Sequence, residues 1–242
     1  WFYKKVSVFG VIGENARQNL VRHGVSEDRM IFAPYNVDTD LFEIQKRKFK
    51  RAAVRRQLGL KEKDIVLLFS GKLIPRKEPL LLLEAMGRLH RDYPNLKLIM
   101  VGDGPMKDEV QKAATRYIPN RLVFQGFVNQ SELGRYYRAA DIFAHPSYGE
   151  TWGLVINEAM QFGLPVITSD KVGCRLDLVK PGLTGFVFPS GDAERLAFYI
   201  ETMVKNPDWT RKMGENAEKL IGFYSSKLAA DGIDRAAHLA LG

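Results

Sequence analysis

Short apolar runs alternate along most of the chain with longer segments in which apolar residues recur at helical spacing. The short runs predict buried strands, and the longer segments predict helices with one apolar face. Strands are predicted at residues 6–12, 30–33, 64–70, 96–101, 121–125, 141–145, 165–168 and 184–188. Because strands alternate with helices, the sequence predicts an α/β fold with a doubly wound parallel sheet of Rossmann type.

The helices between these strands are bounded by Pro, Gly and Ser residues, which are typical helix ends. Ser131 is interpreted as a helix cap, although residues 129–131 also match a glycosylation sequon. The predicted helices cover residues 15–23, 79–91, 106–117 and 152–162, and 193–241 with breaks near Pro207 and Gly222. A further helix is predicted to open at Ser131.

Two carboxylates interrupt the apolar pattern between residues 141 and 168. Glu150 lies in a turn-rich loop, and Glu158 lies on the helix predicted from Trp152, where nearly all other residues are apolar. A buried carboxylate costs several kcal/mol unless hydrogen bonds or a cation satisfy it. Glu158 therefore requires either a structural partner or a bound ligand. Glu150 either stabilises the positive end of the helix or belongs to a site.

The loop before this helix has features of an anion site. If the helix begins at Trp152, the N–H groups of Trp152, Gly153 and Leu154 lie free at the carboxyl edge of the sheet, where α/β proteins bind ligands. Gly153 lets a ligand approach the backbone closely because it has no side chain. The loop is therefore a candidate binding site.

The segment PSYGETWGLVINEAMQFGLPVITSD, residues 146–170, resembles the E-x7-E signature of retaining glycosyltransferases of family four (group 1), which have the GT-B fold. The resemblance implies that Glu150 contacts the transferred sugar and that Glu158 binds the ribose hydroxyls. The expected reaction is transfer of a sugar from a UDP- or GDP-linked donor with retention of anomeric configuration. The resemblance also implies that the diphosphate is held by the backbone amides of Thr151, Trp152, Gly153 and Leu154.

The loop GKLIPRKEPL, residues 71–80, follows a strand and precedes a helix, so it reaches the same edge of the sheet. It resembles the family's Gly-Arg…Lys-Gly segment, whose two cations hold the donor diphosphate. By position Gly71 begins the segment, and Lys72 and Lys77 are the cations, with a catalytic role. Lys72 replaces the more common Arg, and Glu78 replaces the usual Gly. The alternative is a solvated basic loop.

Other edge loops add to the expected donor site. Phe127 and Val128 follow a strand at the position where the family's backbone reads the nucleobase. The turn from Gly102 to Gly104 lacks the third glycine of a dinucleotide fingerprint and is interpreted as a tight turn. His145 ends a strand beside the site and is interpreted as structural. No spacing of His or carboxylates indicates a metal, and no cofactor is expected besides the donor substrate.

Residues 34–38, PYNVD, resemble the family's inter-domain hinge, usually Pro-Asn-Gly-Val-Asp. On that basis residues 1–41 are the tail of the acceptor domain with the hinge, residues 42–222 are the donor-binding domain, and residues 223–242 are a carboxyl-terminal helix. The greater part of the acceptor domain is expected outside this chain. The chain alone is then expected to be inactive as a hexosyl-type glycosyltransferase.

The resemblance also sets the expected partners. They are a nucleotide sugar and, through the acceptor domain, an acceptor glycan or lipid-linked sugar in polysaccharide, lipopolysaccharide or glycolipid synthesis. Two alternatives remain open: a nucleotide-binding module without catalysis, and a sugar-nucleotide epimerase on the same fold. The two carboxylates are not interpreted as the pair of a hydrolase, because Glu158 is assigned to ribose.

The net charge of +8 arises locally. Between Lys46 and Lys63 nine basic residues face one acid, Glu62, and the rest of the chain is balanced. Most such runs are solvated helix faces, and contact with an anionic membrane surface is the main alternative. Nucleic acid is not expected as a partner, because Phe49 is the only aromatic residue in the run.

Composition limits the cellular setting. The chain is 45% hydrophobic and 26% charged, as in ordinary globular proteins, and none of its apolar runs is long enough to span a bilayer. Its single cysteine, Cys174, excludes an internal disulfide and is interpreted as a packing residue. We expect a cytoplasmic protein, with peripheral contact at the inner membrane face as an option.

Overall fold

The computed structural model describes residues 2–241; Trp1, which begins the expected acceptor-domain tail, and Gly242 lie outside the described residues. The strands are β1 Phe9–Val11, β2 Met30–Phe32, β3 Ile65–Ser70, β4 Leu96–Val101, β5 Leu122–Gly126, β6 Ile142–His145, β7 Val166–Ser169 and β8 Gly185–Phe188. The α-helices are α1 Glu14–Arg22, α2 Thr39–Lys48, α3 Arg51–Gln57, α4 Pro79–Leu89, α5 Lys107–Tyr117, α6 Gln130–Ala139, α7 Leu154–Gln161, α8 Arg175–Leu178, α9 Ala193–Lys205, α10 Pro207–Ile221 and α11 Ser226–Leu241.

Six strands form one parallel sheet in the order β5-β4-β3-β6-β7-β8, and β1 pairs with β2 in a separate small sheet. The chain runs outward from β3 to β5 and then crosses back to β6 on the other side of β3. Such a reversal opens a crevice at the carboxyl ends of the two strands, where α/β proteins bind ligands. The predicted doubly wound sheet of Rossmann type is confirmed.

Apolar side chains cover both faces of this sheet, which explains why its strands are apolar throughout rather than alternating. On β3, Val66 and Leu68 belong to a core cluster with α2, α3, α6 and α7. Leu67 and Phe69 belong to a second cluster with α4, α5 and α9. All four side chains are fully buried. The loops at the strand ends therefore extend from a rigid scaffold.

The basic run after Lys46 is not a solvated helix face throughout, contrary to the expectation. Arg55 on α3 is only 5% exposed, and its guanidinium donates to backbone carbonyls and to Asp141 Oδ2 at 2.6 Å. Arg51 binds Asp141 Oδ1 at 2.5 Å. Burial lowers the pKa of Arg55, opposed by Asp141. These arginines hold α3 against the residue before β6.

Several predicted boundaries differ from the structure. Helix α6 begins at Gln130 with Asn129 in the cap position, so Ser131 lies in its first turn and is not the cap. Strand β1 is shorter than the predicted 6–12, because only Phe9–Val11 pairs with β2.

The last helix, α11, returns to the small sheet. A Cβ atom at Gly232 would lie 2.3 Å from the carbonyl oxygen of Phe32, so only glycine permits this close approach. Asn36, in the predicted hinge, donates to Ser226 Oγ at the start of α11 at 2.6 Å. Across residues 2–241, no helix has the length and apolar character needed to cross a membrane.

Candidate functional site

The loops after β3 and β6 meet at the switch point. Arg76 connects them, because its carbonyl accepts from Ser147 Oγ at 2.8 Å and its Nη1 donates to Gly149 O at 2.8 Å. The next residue, Lys77, contacts Glu150 Oε2 through its Nζ atom. The structure thus brings one residue of each predicted loop into a direct ion pair.

Glu150 is ionised over a wide pH range. His145 Nε2 lies 3.9 Å from Glu150 Oε2, and the Lys77 ammonium contacts the same oxygen. The His145 ring and the Lys77 ammonium outweigh burial and hold the pKa of Glu150 at about 2. The site therefore presents a fixed negative charge beside a lysine.

This lowered pKa predicts a pH dependence of stability. The pKa of Glu150 in the folded protein lies below its ordinary value of 4.5. Ionised Glu150 therefore stabilises the fold above about pH 4.5, and this stabilisation is lost as the pH falls toward 2. The difference in free energy of unfolding between wild type and Glu150→Gln, measured by urea denaturation, should therefore be largest near neutral pH and shrink below about pH 4.5. A difference that stays constant with pH would contradict the ion pair.

The backbone of Glu150 is also anchored. Its N–H donates to Lys171 O at 3.2 Å, and the Gly173 N–H donates to Glu150 O at 2.9 Å. A Cβ atom at Gly173 would lie 1.8 Å from Thr151 O, so the two loops approach this closely only because residue 173 is glycine. The backbone that carries the carboxylate is thereby bonded through both its N–H and its carbonyl.

Helix α7 begins at Leu154, not at Trp152 as predicted. Gly153 has a φ of 104°, which is outside the helical region and favours glycine. Trp152 is buried, and its Nε1 donates to Asn157 Oδ1 at 2.9 Å. Within the described part of the chain, the N–H groups of Gly153, Leu154 and Val155 have no recorded acceptor. The Trp152 N–H also has no recorded acceptor among residues 2–241, so the three predicted donors, Trp152, Gly153 and Leu154, are all open, and Val155 joins them.

Lys77, Glu150 and the residues at the start of α7 line one cavity of about 250 Å³. An anion in it would meet both a cation and the open N–H groups of a helix start. Of the predicted site residues, the structure therefore brings together Lys77, Glu150 and residues 151–154, which lead from Glu150 into α7. The complete lining is Tyr35, Lys77, Glu150, Thr151, Trp152, Gly153, Leu154 and Val155.

Glu158 has a partner within the protein. The hydroxyl of the fully buried Tyr137 donates to Glu158 Oε2 at 2.7 Å. Burial raises the pKa of Glu158, although the bond from Tyr137 opposes this. For Glu158 Oε1 no hydrogen bond is recorded among residues 2–241. Leu154, which lines the cavity, is one turn earlier on the same face of α7.

Five predicted residues do not line this cavity: Glu158, described above, and four residues in other loops. Lys72 is exposed and has no recorded ion pair in the described chain, and Gly71 sits where the loops after β3 and β4 cross. Phe127 is 75% exposed, and Val128 packs against the first core cluster.

Sequence reasoning missed two residues that line the cavity, Tyr35 and Val155. Tyr35 lines it, with its ring edge-on to Trp152 and its carbonyl accepting from Asn157 Nδ2 at 3.2 Å. The departure of the hinge from the family pattern could have indicated Tyr35. His145, which the sequence analysis places beside the site as a structural residue, is fully buried, with its Nε2 3.9 Å from Glu150 Oε2.

Other cavities of the structure are weaker candidates for the functional site. A cavity of about 510 Å³ lies at the opposite, amino edge of the sheet, where Arg51 and Asp141 already pair. A groove of about 670 Å³ follows α4 and α5. Neither includes Lys77 or Glu150. In the described residues, His, Cys, Asp and Glu side chains form no group of three or more that could hold a metal ion.

Comparison with known proteins gives consistent matches. The family model of glycosyl transferases group 1 matches residues 50–220. A protein of Nocardia farcinica named D-inositol 3-phosphate glycosyltransferase is 32% identical over 229 residues, which is 91% of this chain and 49% of that protein. The chain spans about half the length of the curated relatives it matches.

Solved structures share the fold. Anabaena HepE in complex with UDP-glucose has a TM-score of 0.79 at 23% identity, covering 96% of this chain and 64% of that one. The carboxyl-terminal domain of a group 1 glycosyl transferase (LpcC) from Francisella tularensis has a TM-score of 0.67 at 20% identity, covering 78% of this chain and 97% of that one. With the family match and the parallel sheet, these findings show that the chain belongs to the group 1 glycosyltransferases, as the carboxyl-terminal half of their GT-B fold.

Proposed function

We propose that the chain is the donor-binding half of a retaining glycosyltransferase and that the cavity beside Glu150 binds the diphosphate of a UDP- or GDP-linked sugar. The observation that carries the proposal is that Lys77, Glu150 and the open N–H groups of α7 line one cavity at the switch point. HepE, a protein of the same fold, was solved with UDP-glucose bound, which supports a nucleotide sugar as the ligand class.

The diphosphate is assigned to the cation and the helix start. Lys77 supplies a positive charge at the cavity wall, and Gly153, Leu154 and Val155 supply backbone donors. Hydrogen bonds between ionised partners are roughly twice as strong as neutral ones, so this corner favours phosphate over a neutral group. Lys72 is exposed and carries no recorded ion pair in the described chain, so it is free to join them.

The ribose is assigned to Glu158. Tyr137 donates to Oε2 and thereby orients the carboxylate, while Oε1 is left to accept from the ribose hydroxyls of the ligand. The carboxylate must be ionised to accept two ribose hydroxyls. In the free protein, burial removes water from Glu158 and raises its pKa. The hydroxyls of a bound ribose would replace part of this lost solvation.

The same groups suit the transfer step. The bond between the anomeric carbon and the diphosphate oxygen breaks, and the acceptor oxygen bonds to the same face of that carbon, its proton passing to the departing diphosphate. Negative charge then develops on the diphosphate, where Lys77 and the α7 donors stabilise it. Glu150, fixed beside Lys77, positions the sugar.

The acceptor and the setting are also part of the proposal. We propose a glycan or lipid-linked acceptor, a hexosyl donor and a cytoplasmic location, with peripheral membrane contact through the remaining exposed basic residues of 46–63. Transfer requires both substrates held together with water excluded. The donor cavity supplies one wall of such a cleft, so we expect this chain alone to bind donor without transferring sugar.

Calorimetric titration with UDP, GDP and their sugar esters tests this function through Glu158. Glu158→Gln should cost about 1.5 to 3 kcal/mol of nucleotide affinity, because an ionised acceptor of ribose hydroxyls is replaced by a neutral one. The fold should survive, since glutamine still accepts from Tyr137.

The matched control is Glu84→Gln, which makes the same change on α4 at an exposed ion pair with Arg88. It should leave nucleotide affinity unchanged. If Glu158→Gln instead lowers stability and leaves binding intact, Glu158 is structural only. If the wild-type chain binds none of these nucleotides, the donor-site proposal is wrong.

A further inference from the structure

His145, the last residue of β6, is fully buried, and both of its ring nitrogens lack a hydrogen-bond partner in the described chain. A buried polar group without a partner is costly and uncommon in native proteins, so it requires an explanation. Packing explains only part of its position. The ring stacks on Phe143 with 6.2 Å between centroids, and the His145 carbonyl accepts from Thr168 Oγ1 at 2.9 Å.

The Nε2 edge of the imidazole faces Glu150, which lines the donor cavity. Nε2 lies 3.9 Å from Glu150 Oε2, beyond the roughly 3.2 Å limit of a good N–H···O bond. The charged groups that act on the ring are Glu150, Lys77 and Arg76, from the two loops that meet at the switch point. Burial lowers the pKa of His145, so the ring is neutral and offers one N–H donor.

Two partners compete for the Lys77 ammonium. In this structure it pairs with Glu150, and in the proposed function it binds the donor diphosphate. When Lys77 turns to the diphosphate, Glu150 loses its closest cation. Arg76 is a poor replacement, because its Nη1 is 3.9 Å from Glu150 Oε2 and already donates to Gly149 O. His145 Nε2 is a buried donor at the same 3.9 Å distance, and among residues 2–241 it has no hydrogen-bond partner.

We propose that His145 is a positioning residue: when Lys77 engages the donor diphosphate, the Nε2–H of neutral His145 donates to the Glu150 carboxylate and holds it beside the transferred sugar. This inference rests on the proposed function for the role of Lys77. The change requires Nε2 and Oε2 to approach by about 1 Å, which a side-chain rotation of Glu150 supplies. No proton is transferred, and Glu150 stays ionised throughout.

Two substitutions separate this role from packing. His145→Phe keeps the ring and its stacking on Phe143 but has no donor, whereas His145→Gln keeps an N–H donor at a similar reach. The affinities of UDP and UDP-glucose, and of GDP and GDP-mannose, are measured by calorimetry for wild type and both variants. For the pair that binds, His145→Phe should weaken the sugar ester about tenfold relative to the free diphosphate, and His145→Gln should stay within about threefold of wild type.

A second measurement needs no nucleotide. The His145 side-chain signals are followed by nitrogen NMR during a pH titration of wild type, Lys77→Ala and the double variant Lys77→Ala with Glu150→Gln. Without Lys77, Glu150 should draw His145 into a hydrogen bond and raise its pKa by about one unit. Removing the carboxylate as well should reverse that rise. A tautomer with the proton on Nε2 is expected in all neutral forms.

The outcomes distinguish the two proposals. An unchanged sugar-to-diphosphate affinity ratio in His145→Phe, or a His145 pKa that does not respond to Lys77→Ala, overturns the role of His145 even if nucleotides bind. An equal loss in the Phe and Gln variants also overturns it, because only packing would then matter. If wild type binds no nucleotide but the His145 pKa responds as expected, the donor function fails and the His145–Glu150 coupling stands.

Discussion

Replacing Lys77 by alanine is expected to weaken the binding of a nucleoside diphosphate by about 2 to 3 kcal/mol, which corresponds to a thirty- to hundredfold loss. The reason is that Lys77 is the cation at the wall of the cavity, with a side chain only 12% exposed and fixed by its contact with Glu150. The corresponding nucleoside should bind nearly as before, because it lacks the phosphates. Calorimetry with UDP and uridine, and with GDP and guanosine, measures both quantities.

Lys171→Ala is the matched control for this substitution. Lys171 lies on the loop that pairs with Glu150, but its side chain is 57% exposed and binds Asp170. Its removal changes the net charge equally and should alter diphosphate affinity by less than about threefold. If Lys77→Ala weakens nucleoside and diphosphate equally, Lys77 does not bind phosphate.

The strands were the most predictable part of this fold. Residues 96–101 were predicted as a strand and form β4 within the same bounds, and residues 64–70 differ from β3 by one residue. Both are apolar at nearly every position because the sheet is covered on both faces. Such runs are visible in a sequence without knowledge of which strands are neighbours.

The positions of the loops that form the site were predictable from the sequence, but the orientations of their side chains were not. The loops containing Lys77 and Glu150 were expected at one sheet edge, and the strand order brings them together. Which of the two lysines faces the cavity was not predictable, because it depends on the 3₁₀ turn Pro75–Lys77. The helix start at Leu154 was missed because the apolar run begins earlier, while the backbone changes direction at Gly153.

Polar pairs between residues far apart in the chain could not be predicted from the sequence. The sequence indicated that Glu158 requires a partner, but Tyr137 lies 21 residues away on another helix. Likewise, Arg55 stands in a basic run that is typical of a solvated surface, and its partner Asp141 is 86 residues further on. Local patterns carry no information on such pairs, which depend on how α3 and α6 pack beside β6.

Replacing Asp141 by alanine is expected to lower the free energy of unfolding by about 3 kcal/mol, because removal of one partner leaves a buried charge without compensation. Asp141 accepts from Arg51, from Arg55 and from the N–H of Val66 at 2.8 Å. The loss should be near the lower end for buried pairs, since the Asp141 side chain is still 29% exposed. Urea denaturation monitored by circular dichroism measures it.

Asp208→Ala provides the control, because this aspartate is 99% exposed and pairs loosely with Arg211 at 3.6 Å. Its replacement should change stability by less than about 0.5 kcal/mol. Asp141 precedes β6, whereas His145 ends it, so the stability loss arises at the edge of the sheet opposite to the donor cavity. The folded Asp141→Ala protein should therefore keep its nucleotide affinity. A loss below about 1 kcal/mol would mean that the carbonyls around Arg55 satisfy its charge without the carboxylate.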